Sequence, residues 1–230
     1  MDYLPVFLNV SGCPAVVVGG GHRAAAKVRL LVAAGAEVSV VAPWACGEIT
    51  ALASASTIRH APRRFAPADS DGACVIFAAS GKADVDAGVA AAARARGIPV
   101  NIVDGPRGAG GSSFIMPAIV DRDPVVVAVS SGGQFPGLVR EVRARIEALL
   151  PARLGAVAHF AARFRGTVRL VIGEEAARRR FWQQVLDGPI ARAIIGNDER
   201  AAGDAMLALL NGRDAPRTAF GVVYLVGAGP

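Results

Sequence analysis

The sequence predicts an α/β fold in which an open parallel sheet is followed by a strand-plus-helix region and a C-terminal helical domain. Strand-length apolar runs alternate with helical patterns from residue 14 to residue 104, which is typical of such a sheet. Residues 74–79 are apolar throughout, as expected for a central strand covered on both faces. The first strand, residues 15–18, runs into three consecutive glycines before a helix begins. This order of elements opens a Rossmann-like nucleotide-binding sheet.

The glycine stretch matches the dinucleotide fingerprint G-x-G-x-x-[G/A] with Gly19, Gly21 and Ala24. The first glycine makes a tight turn, the second lets the backbone approach a pyrophosphate, and the small third residue lets the helix pack on the strand. The N–H groups at the start of the helix attract phosphates. We therefore predict a dinucleotide site at these residues and at Gly20, in preference to a purely structural turn.

The second strand, residues 37–41, is followed by Pro43 and Trp44. A Rossmann dehydrogenase usually carries Asp or Glu at this place to hold the adenosine ribose. No carboxylate is present here, so we expect backbone groups, or His22, Arg23 and Trp44, to recognise the ribose. Arg23 could also meet a 2′-phosphate, and the residues alone leave the choice between NAD and NADP open.

Three more strands and two helices complete the predicted sheet. The helices cover residues 45–55 and 83–96, and the strands cover residues 57–60, 74–79 and 98–103. Ser80 follows one of these strands, at the carboxyl edge of the sheet where a cofactor lies in this fold. Ser80 is therefore a further candidate for cofactor binding.

Asp104 is the candidate catalytic residue. It follows the last predicted strand of the sheet, so its carboxylate is expected at the edge that holds the cofactor. A carboxylate in that place can accept or donate a proton beside a reacting substrate. The alternative is a turn residue, because Asp-Gly-Pro also favours the start of a loop.

The next segment is predicted to lie outside the nucleotide sheet. Two apolar strands, residues 114–120 and 124–129, should pair as a hairpin. Exposed apolar strands attract other chains, so we expect a second copy of this chain to cover them. Small residues at 130–133 precede a helix that begins near Pro136, and they form either an anion-binding nest or a simple helix cap.

The pattern as a whole divides the chain into four predicted segments. The last residues, 221–226, form a strand-like run before a glycine-rich turn, as if a further nucleotide-type domain began there. The segments are a dinucleotide-binding Rossmann domain at residues 1–112, a dimerisation region at 113–150, a helical domain at 151–215, and a linker with the first strand of a truncated domain at 216–230; the resemblance described below makes the first an NAD-binding domain.

Composition limits the classes of function. The net charge is +6 and the pI is about 10.0, yet no nucleic-acid-binding motif accompanies the basic residues. The charge suits a polyanionic small molecule, or solvated helix faces in an arginine-rich chain. No apolar run approaches the roughly 20 residues of a membrane span, and no signal peptide is evident, so we expect a cytoplasmic protein. No metal-ligand spacing is present among the three cysteines.

Several motifs together resemble those of siroheme synthase, in its amino-terminal precorrin-2 dehydrogenase and sirohydrochlorin ferrochelatase module. The final residues, 223–230, resemble the start of the uroporphyrinogen-III methyltransferase domain that is fused to it in trifunctional members. The motifs are Met1-Asp2-Tyr3-Leu4-Pro5-Val6-Phe7, Val18-Gly19-Gly20-Gly21 with Ala24 and Lys27, Gly35-Ala36, Asn101-Ile102-Val103-Asp104, Phe114-Ile115-Met116-Pro117-Ala118-Ile119-Val120-Asp121-Arg122 and Val127-Ala128-Val129-Ser130-Ser131-Gly132-Gly133.

The resemblance implies an NAD-dependent enzyme of siroheme and related tetrapyrrole biosynthesis that works as a homodimer. It implies oxidation of precorrin-2 to sirohydrochlorin, followed by insertion of Fe²⁺, a substrate, into the macrocycle. Asp104 occupies the family's catalytic position and would serve both steps. The implied active site lies in a cleft between the Rossmann, dimerisation and helical parts.

The resemblance also implies roles for other residues. Family cofactor contacts fall on His22, Arg23, Pro43 and Trp44. The tetrapyrrole carries many carboxylates, which arginine forks bind well, and we expect contacts from Asn101, Ser131 and Arg122 among others. Ser131 also matches a serine that is phosphorylated in bacterial fused members, which makes it a hypothetical modification site.

Two alternatives remain at this stage. The first is a dehydrogenase that leaves iron insertion to another protein, because no cluster of metal ligands is evident in the sequence. The second is a non-enzymatic NAD-sensing module, since such modules also begin with a G-x-G-x-x-G sheet.

Overall fold

The computed structural model describes residues 2–105 and 111–212. Contacts between residues divide the chain into two compact units. The first comprises the residues up to Pro117 together with Ser130–Phe135, and the second comprises Ala118–Val129 and the residues from Pro136 onwards. The four predicted segment boundaries remain proposals, and the predicted linker and strand at residues 216–230 lie outside the described part of the chain.

The first unit contains a five-stranded parallel sheet with the strand order β3-β2-β1-β4-β5. This confirms the predicted α/β, Rossmann-like class. The two central strands, β1 and β4, consist almost wholly of buried residues, in keeping with their apolar sequences. The strands are β1 (Pro14–Val18), β2 (Glu37–Val41), β3 (Arg59–Ala61), β4 (Val75–Ala78) and β5 (Val100–Ile102).

Helices cover both faces of this sheet. They are α1 (His22–Ala33), α2 (Gly47–Ser54) and α3 (Ala83–Ala95). Helices α1 and α2 pack on the face that carries Val17 and Phe77, whereas α3 packs on the face that carries Val16 and Ile76. Since burial of one such side chain contributes about 1.5–3 kcal/mol, the two apolar layers hold the strands in register beneath the glycine loop.

Serine side chains cover the free edge of β5. The backbone N–H groups of Val100 and Ile102 donate to the hydroxyls of Ser113 and Ser112, each at 2.8 Å. The hydroxyls thus take the place of the next strand, which satisfies donors that an open edge leaves unpaired. This pairing holds residues 111–114 beside β5, so the predicted strand at 114–120 begins only at Ala118.

As far as residue 212, the second unit contains the predicted hairpin and five helices. Strands β6 (Ala118–Arg122) and β7 (Val125–Val129) pair in antiparallel fashion, with Ile119 opposite Ala128. The helix that follows them buries none of its residues. The other four enclose an apolar core that includes Phe160, Phe181 and Met206. The helices are α4 (Pro136–Leu149), α5 (Leu154–Val171), α6 (Glu175–Asp187), α7 (Pro189–Ile195) and α8 (Glu199–Leu210).

The amino-terminal arm is not part of the sheet. Residues 5–10 form no strand, and Leu4, Val6 and Phe7 are exposed. Within residues 2–105 and 111–212, no helix combines the length and the apolar character needed to cross a membrane.

Candidate functional site

The glycine loop after β1 is held between two other backbone segments. Gly19 has a φ of +132°, and a Cβ at this residue would run into the backbone carbonyl of Ala79. A Cβ at Gly20 would strike the carbonyl of Trp44. The N–H of Gly19 donates to the Val41 carbonyl at 3.1 Å. Only glycine fits at these two positions, which leaves backbone open for the approach of a ligand.

Helix α1 begins directly after this loop, with an N-terminus suited to a phosphate. Gly21 is its N-cap, no side chain caps it, and no acidic residue stands in its first turn. His22 and Arg23, the first two helical residues, are exposed, whereas Ala24 is fully buried against the sheet. The N–H groups of the first turn therefore face outward beside the positive end of the helix dipole. The loop and helix start fit a dinucleotide pyrophosphate.

At the end of β2, Pro43 is followed by an exposed indole. The side chain of Trp44 is 64% exposed, and its ring lies 3.8 Å from the place where Gly21 would carry a Cβ. His60 of β3 lies behind this turn, and its Nε2 is 3.1 Å from the Ala42 carbonyl, so Nε2–H donates there. Pro43 and Trp44 thus stand next to the glycine loop, where the sequence places the adenosine side of the cofactor.

At the end of β4, a buried carboxylate fixes the loop that carries Ser80. Asp86 of α3 is 5% exposed and accepts hydrogen bonds from the Ser80 hydroxyl at 2.7 Å and the Ser80 N–H at 3.1 Å. The same hydroxyl accepts from the N–H of Lys82 at 3.1 Å. The Ser80 side chain is therefore engaged within its own loop, and its backbone forms the floor of the site beside Gly19.

Asp104 lies at the carboxyl end of β5, as predicted. Its φ is +59°, a left-handed conformation that Asp tolerates better than most residues. Its Oδ2 lies 2.5 Å from Nη1 of Arg23, and the two side chains are 63% and 69% exposed, respectively. The structure thus joins the predicted catalytic residue to a residue predicted to bind the cofactor.

Lys27 was not predicted as a site residue, yet it faces the same carboxylate. Its Nζ lies 5.9 Å from the centroid of the Phe77 ring, which stacks edge-on against Phe114 at 5.6 Å. Burial lowers the pKa of Lys27 from its ordinary value of 10.5, and the negative charge of Asp104 opposes that shift. The sequence did carry a signal: Lys27 is three residues after Ala24 and four before Leu31, both buried, so it lies within the apolar stripe of α1.

The three predicted substrate contacts are already engaged elsewhere. Asn101 is 8% exposed, and its Nδ2 donates to the Phe114 carbonyl at 3.0 Å. The Ser131 hydroxyl accepts from the N–H of Phe135 at 3.0 Å, a bond within the turn that precedes α4. Arg122 belongs to the second unit, where it donates to the carbonyls of Asp121 and Glu147 and lies 3.8 Å from the Glu147 carboxylate. Their substrate roles stay predictions.

A resident metal is not indicated in the described part of the chain. Across residues 2–105 and 111–212, no three His, Cys, Asp or Glu side chains come together as a group that could hold a metal ion.

Comparisons with known proteins agree with this geometry. A family model for NAD(P) binding matches residues 6–118, and a model of the sirohaem synthase dimerisation region matches residues 153–210. Siroheme synthase from Chromobacterium violaceum is 46% identical over this whole chain, and that from Methylococcus capsulatus is 47% identical over this whole chain. Along its whole length the chain is similar to siroheme synthases. It spans 48% of the length of each of these two relatives.

A solved structure supports the fold. SirC, precorrin-2 dehydrogenase, matches with a TM-score of 0.71 at 18% sequence identity, over 89% of this chain and 99% of that one. At that identity the likeness extends to the fold. The assignment of the first unit as an NAD(P)-binding domain rests on the family model alone.

Gly20→Ala should weaken NAD⁺ binding by about tenfold or more, equivalent to at least about 1.4 kcal/mol, because the new methyl group meets the Trp44 carbonyl and displaces the loop. Titration calorimetry measures the affinity, and circular dichroism checks the fold. Gly47→Ala is the matched control, since a Cβ there meets nothing within 4 Å. Equal NAD⁺ affinity in both variants would refute the assignment of the loop.

Lys27→Met should raise the free energy of unfolding near neutral pH, because it removes a half-buried ammonium whose pKa is lowered by burial. The folded chain releases this proton at lower pH than the unfolded chain. The wild-type protein therefore gains stability as the pH rises from the lowered pKa towards 10.5.

Urea denaturation at several pH values measures the free energy of unfolding of the variant and of the wild type. The difference between these two free energies should become smaller towards alkaline pH. Lys82→Met, at an exposed lysine, controls for the lost charge. A Lys27→Met variant that is less stable than wild type at neutral pH would show that burial of this ammonium does not destabilise the protein, which contradicts the prediction.

Proposed function

We propose that this chain carries out the NAD-dependent oxidation of precorrin-2 to sirohydrochlorin. The observation that carries the proposal is the position of Asp104, an exposed carboxylate at the carboxyl end of β5 that reaches the first turn of α1 through Arg23. In this fold, the edge of the sheet that carries the glycine loop is also the edge that holds the reacting part of the cofactor. The similarity to siroheme synthases supplies the substrate class.

The first unit's own residues would hold the cofactor, which we propose to be NAD. The backbone of Gly19, Gly20 and Gly21 would accommodate the pyrophosphate, with His22 at the helix start. Ala24 keeps α1 close to the sheet, and the Ser80 backbone forms the floor. Pro43 and Trp44 would bound the adenosine side. NAD⁺, when bound, supplies a two-electron acceptor.

Asp104 would accept the proton that the substrate loses. The carboxylate is exposed enough to reach a large ligand, and the turn after β5 holds its backbone at the edge of the sheet. Arg23 and Lys27 place two positive charges on the side of this carboxylate that faces α1. Asn101 would act indirectly, because its hydrogen bond to the Phe114 carbonyl holds that segment beside β5.

We also propose that the same carboxylate serves iron insertion. Fe²⁺ is then a substrate, and the inner pyrrole protons of sirohydrochlorin need an acceptor close to the macrocycle. The name siroheme synthase, which the relatives carry, favours this second activity over a dehydrogenase alone.

Residues of the chain outside the parallel sheet are also candidates for contact with the substrate. The net charge of +6 suits a substrate with many carboxylates, towards which we retain Arg122 and Ser131 as candidate contacts. Phosphorylation of Ser131 would add negative charge and repel that substrate. An intact mass without phosphate, together with unchanged activity of a phosphomimic variant, would contradict this role of Ser131.

We propose a homodimer, the segment boundaries given above, and a fused methyltransferase domain in the longer protein.

Asp104→Asn should lower the rate of NADH formation from precorrin-2 by about 10²–10⁴-fold, the usual contribution of a general base, while NAD⁺ binding is retained. The absorbance of NADH under anaerobic conditions measures the rate, and calorimetry measures the affinity for NAD⁺. Asp71→Asn is the control, because Asp71 is also an exposed carboxylate paired with an arginine, Arg96, at 2.7 Å.

The same preparation separates the alternatives. Loss of sirohydrochlorin fluorescence on addition of Fe²⁺ distinguishes the bifunctional enzyme from a dehydrogenase alone. A chain that binds NAD⁺ and produces no NADH would be an NAD-sensing module instead. Full activity of Asp104→Asn would leave the enzyme in place and remove Asp104 from its mechanism.

A further inference from the structure

The sheet order decides which end of the cofactor site Arg23 faces. Arg23 follows β1, and its guanidinium pairs with the carboxylate that follows β5. The adenosine ribose of a dinucleotide lies at the end of β2, on the other side of β1. Since β1 and β4 separate β2 from β5, their ends lie about 14 Å apart at roughly 4.8 Å per strand. Arg23 therefore points away from the place of a ribose 2′-phosphate and towards the reacting end of the site.

The charged side chains around Asp104 carry a net positive charge. Arg23 and Lys27 lie four residues apart on α1, which places them on one face of the helix. Both act on Asp104, Arg23 through direct contact and Lys27 through its field. Two cations thus surround one carboxylate, which leaves a net positive charge that attracts a second anion.

The Arg23–Asp104 pair is also easily opened. Both side chains are more than half exposed, and an exposed ion pair of this kind contributes little to stability because water competes for both partners. Lys27, by contrast, is half-buried over Phe77, so it stays near Asp104 when Arg23 moves. A guanidinium fork binds a carboxylate with two parallel hydrogen bonds.

We propose that Arg23 is a substrate-binding residue that exchanges its internal partner, Asp104, for a peripheral carboxylate of the tetrapyrrole. In the free chain Arg23 holds Asp104. When substrate arrives, the guanidinium takes the incoming carboxylate, and Asp104 is released beside the macrocycle as a base. Binding of the correct polyanion thereby uncovers the catalytic group. This inference rests on the proposed function, because it takes the substrate to be a polycarboxylate.

The test compares two affinities in the same variants. Arg23→Ala should weaken sirohydrochlorin binding by about tenfold, measured by fluorescence titration, with NAD⁺ affinity unchanged by calorimetry. Arg29→Ala is the matched control on the same helix, since Arg29 also forms an exposed ion pair, with Glu48 at 2.5 Å. Arg29→Ala should change neither affinity.

A second pair of variants tests the exchange itself. Asp104→Ala frees Arg23 from its internal partner and should tighten sirohydrochlorin binding by about threefold. The double variant Arg23→Ala/Asp104→Ala should bind no more tightly than Arg23→Ala alone. This non-additivity is what competition between the two carboxylates for one guanidinium requires.

Other outcomes overturn the proposal. Weaker NAD⁺ binding with unchanged sirohydrochlorin binding in Arg23→Ala would assign Arg23 to the cofactor, and unchanged affinities for both would make the pair a surface contact only. Equal tightening by Asp104→Ala with and without Arg23 would exclude exchange. A wild-type chain that forms no NADH from precorrin-2 contradicts the proposed function itself, which these binding comparisons do not measure.

Discussion

The site depends on the close approach of three backbone segments at the carboxyl edge of the parallel sheet. The glycine loop after β1 is held between the carbonyls of Ala79 and Trp44, with no room for a side chain at Gly19 or Gly20. That approach is possible because β1 is the middle strand, paired with β2 on one side and β4 on the other. The loop in turn directs the start of α1 outward, so the packing of the core determines where phosphate can bind.

The same helix carries the charges of the reacting end. Arg23 and Lys27 project from α1 towards Asp104, so the helix proposed to bind phosphate also sets the field around the proposed proton acceptor. Lys27 is held there against the cost of burial, which a core residue of similar size would avoid. A charge that lowers stability and faces a catalytic candidate is the usual sign of a site shaped by function.

Much of this arrangement could be predicted from the sequence, because it follows from local rules. Strand-length apolar runs, three glycines and an aspartate after the last strand were enough to predict the sheet, the position of the glycine loop and the position of Asp104. The direction of Arg23 was not predictable, since a long side chain at a helix start can turn to either neighbouring strand. The serine cover of β5 and the Asn101–Phe114 bond also escaped prediction. Both depend on a segment that returns to the sheet after an intervening loop, and no periodic pattern reports such a return.

The measurement that tests this account most directly is a crystal structure of the chain with NAD⁺ and sirohydrochlorin bound together. We expect the pyrophosphate against the backbone of the glycine loop and the start of α1. The Asp104 carboxylate should lie within hydrogen-bonding distance of the macrocycle and be turned away from Arg23. A cofactor bound away from the glycine loop, or a macrocycle out of reach of Asp104, would contradict it.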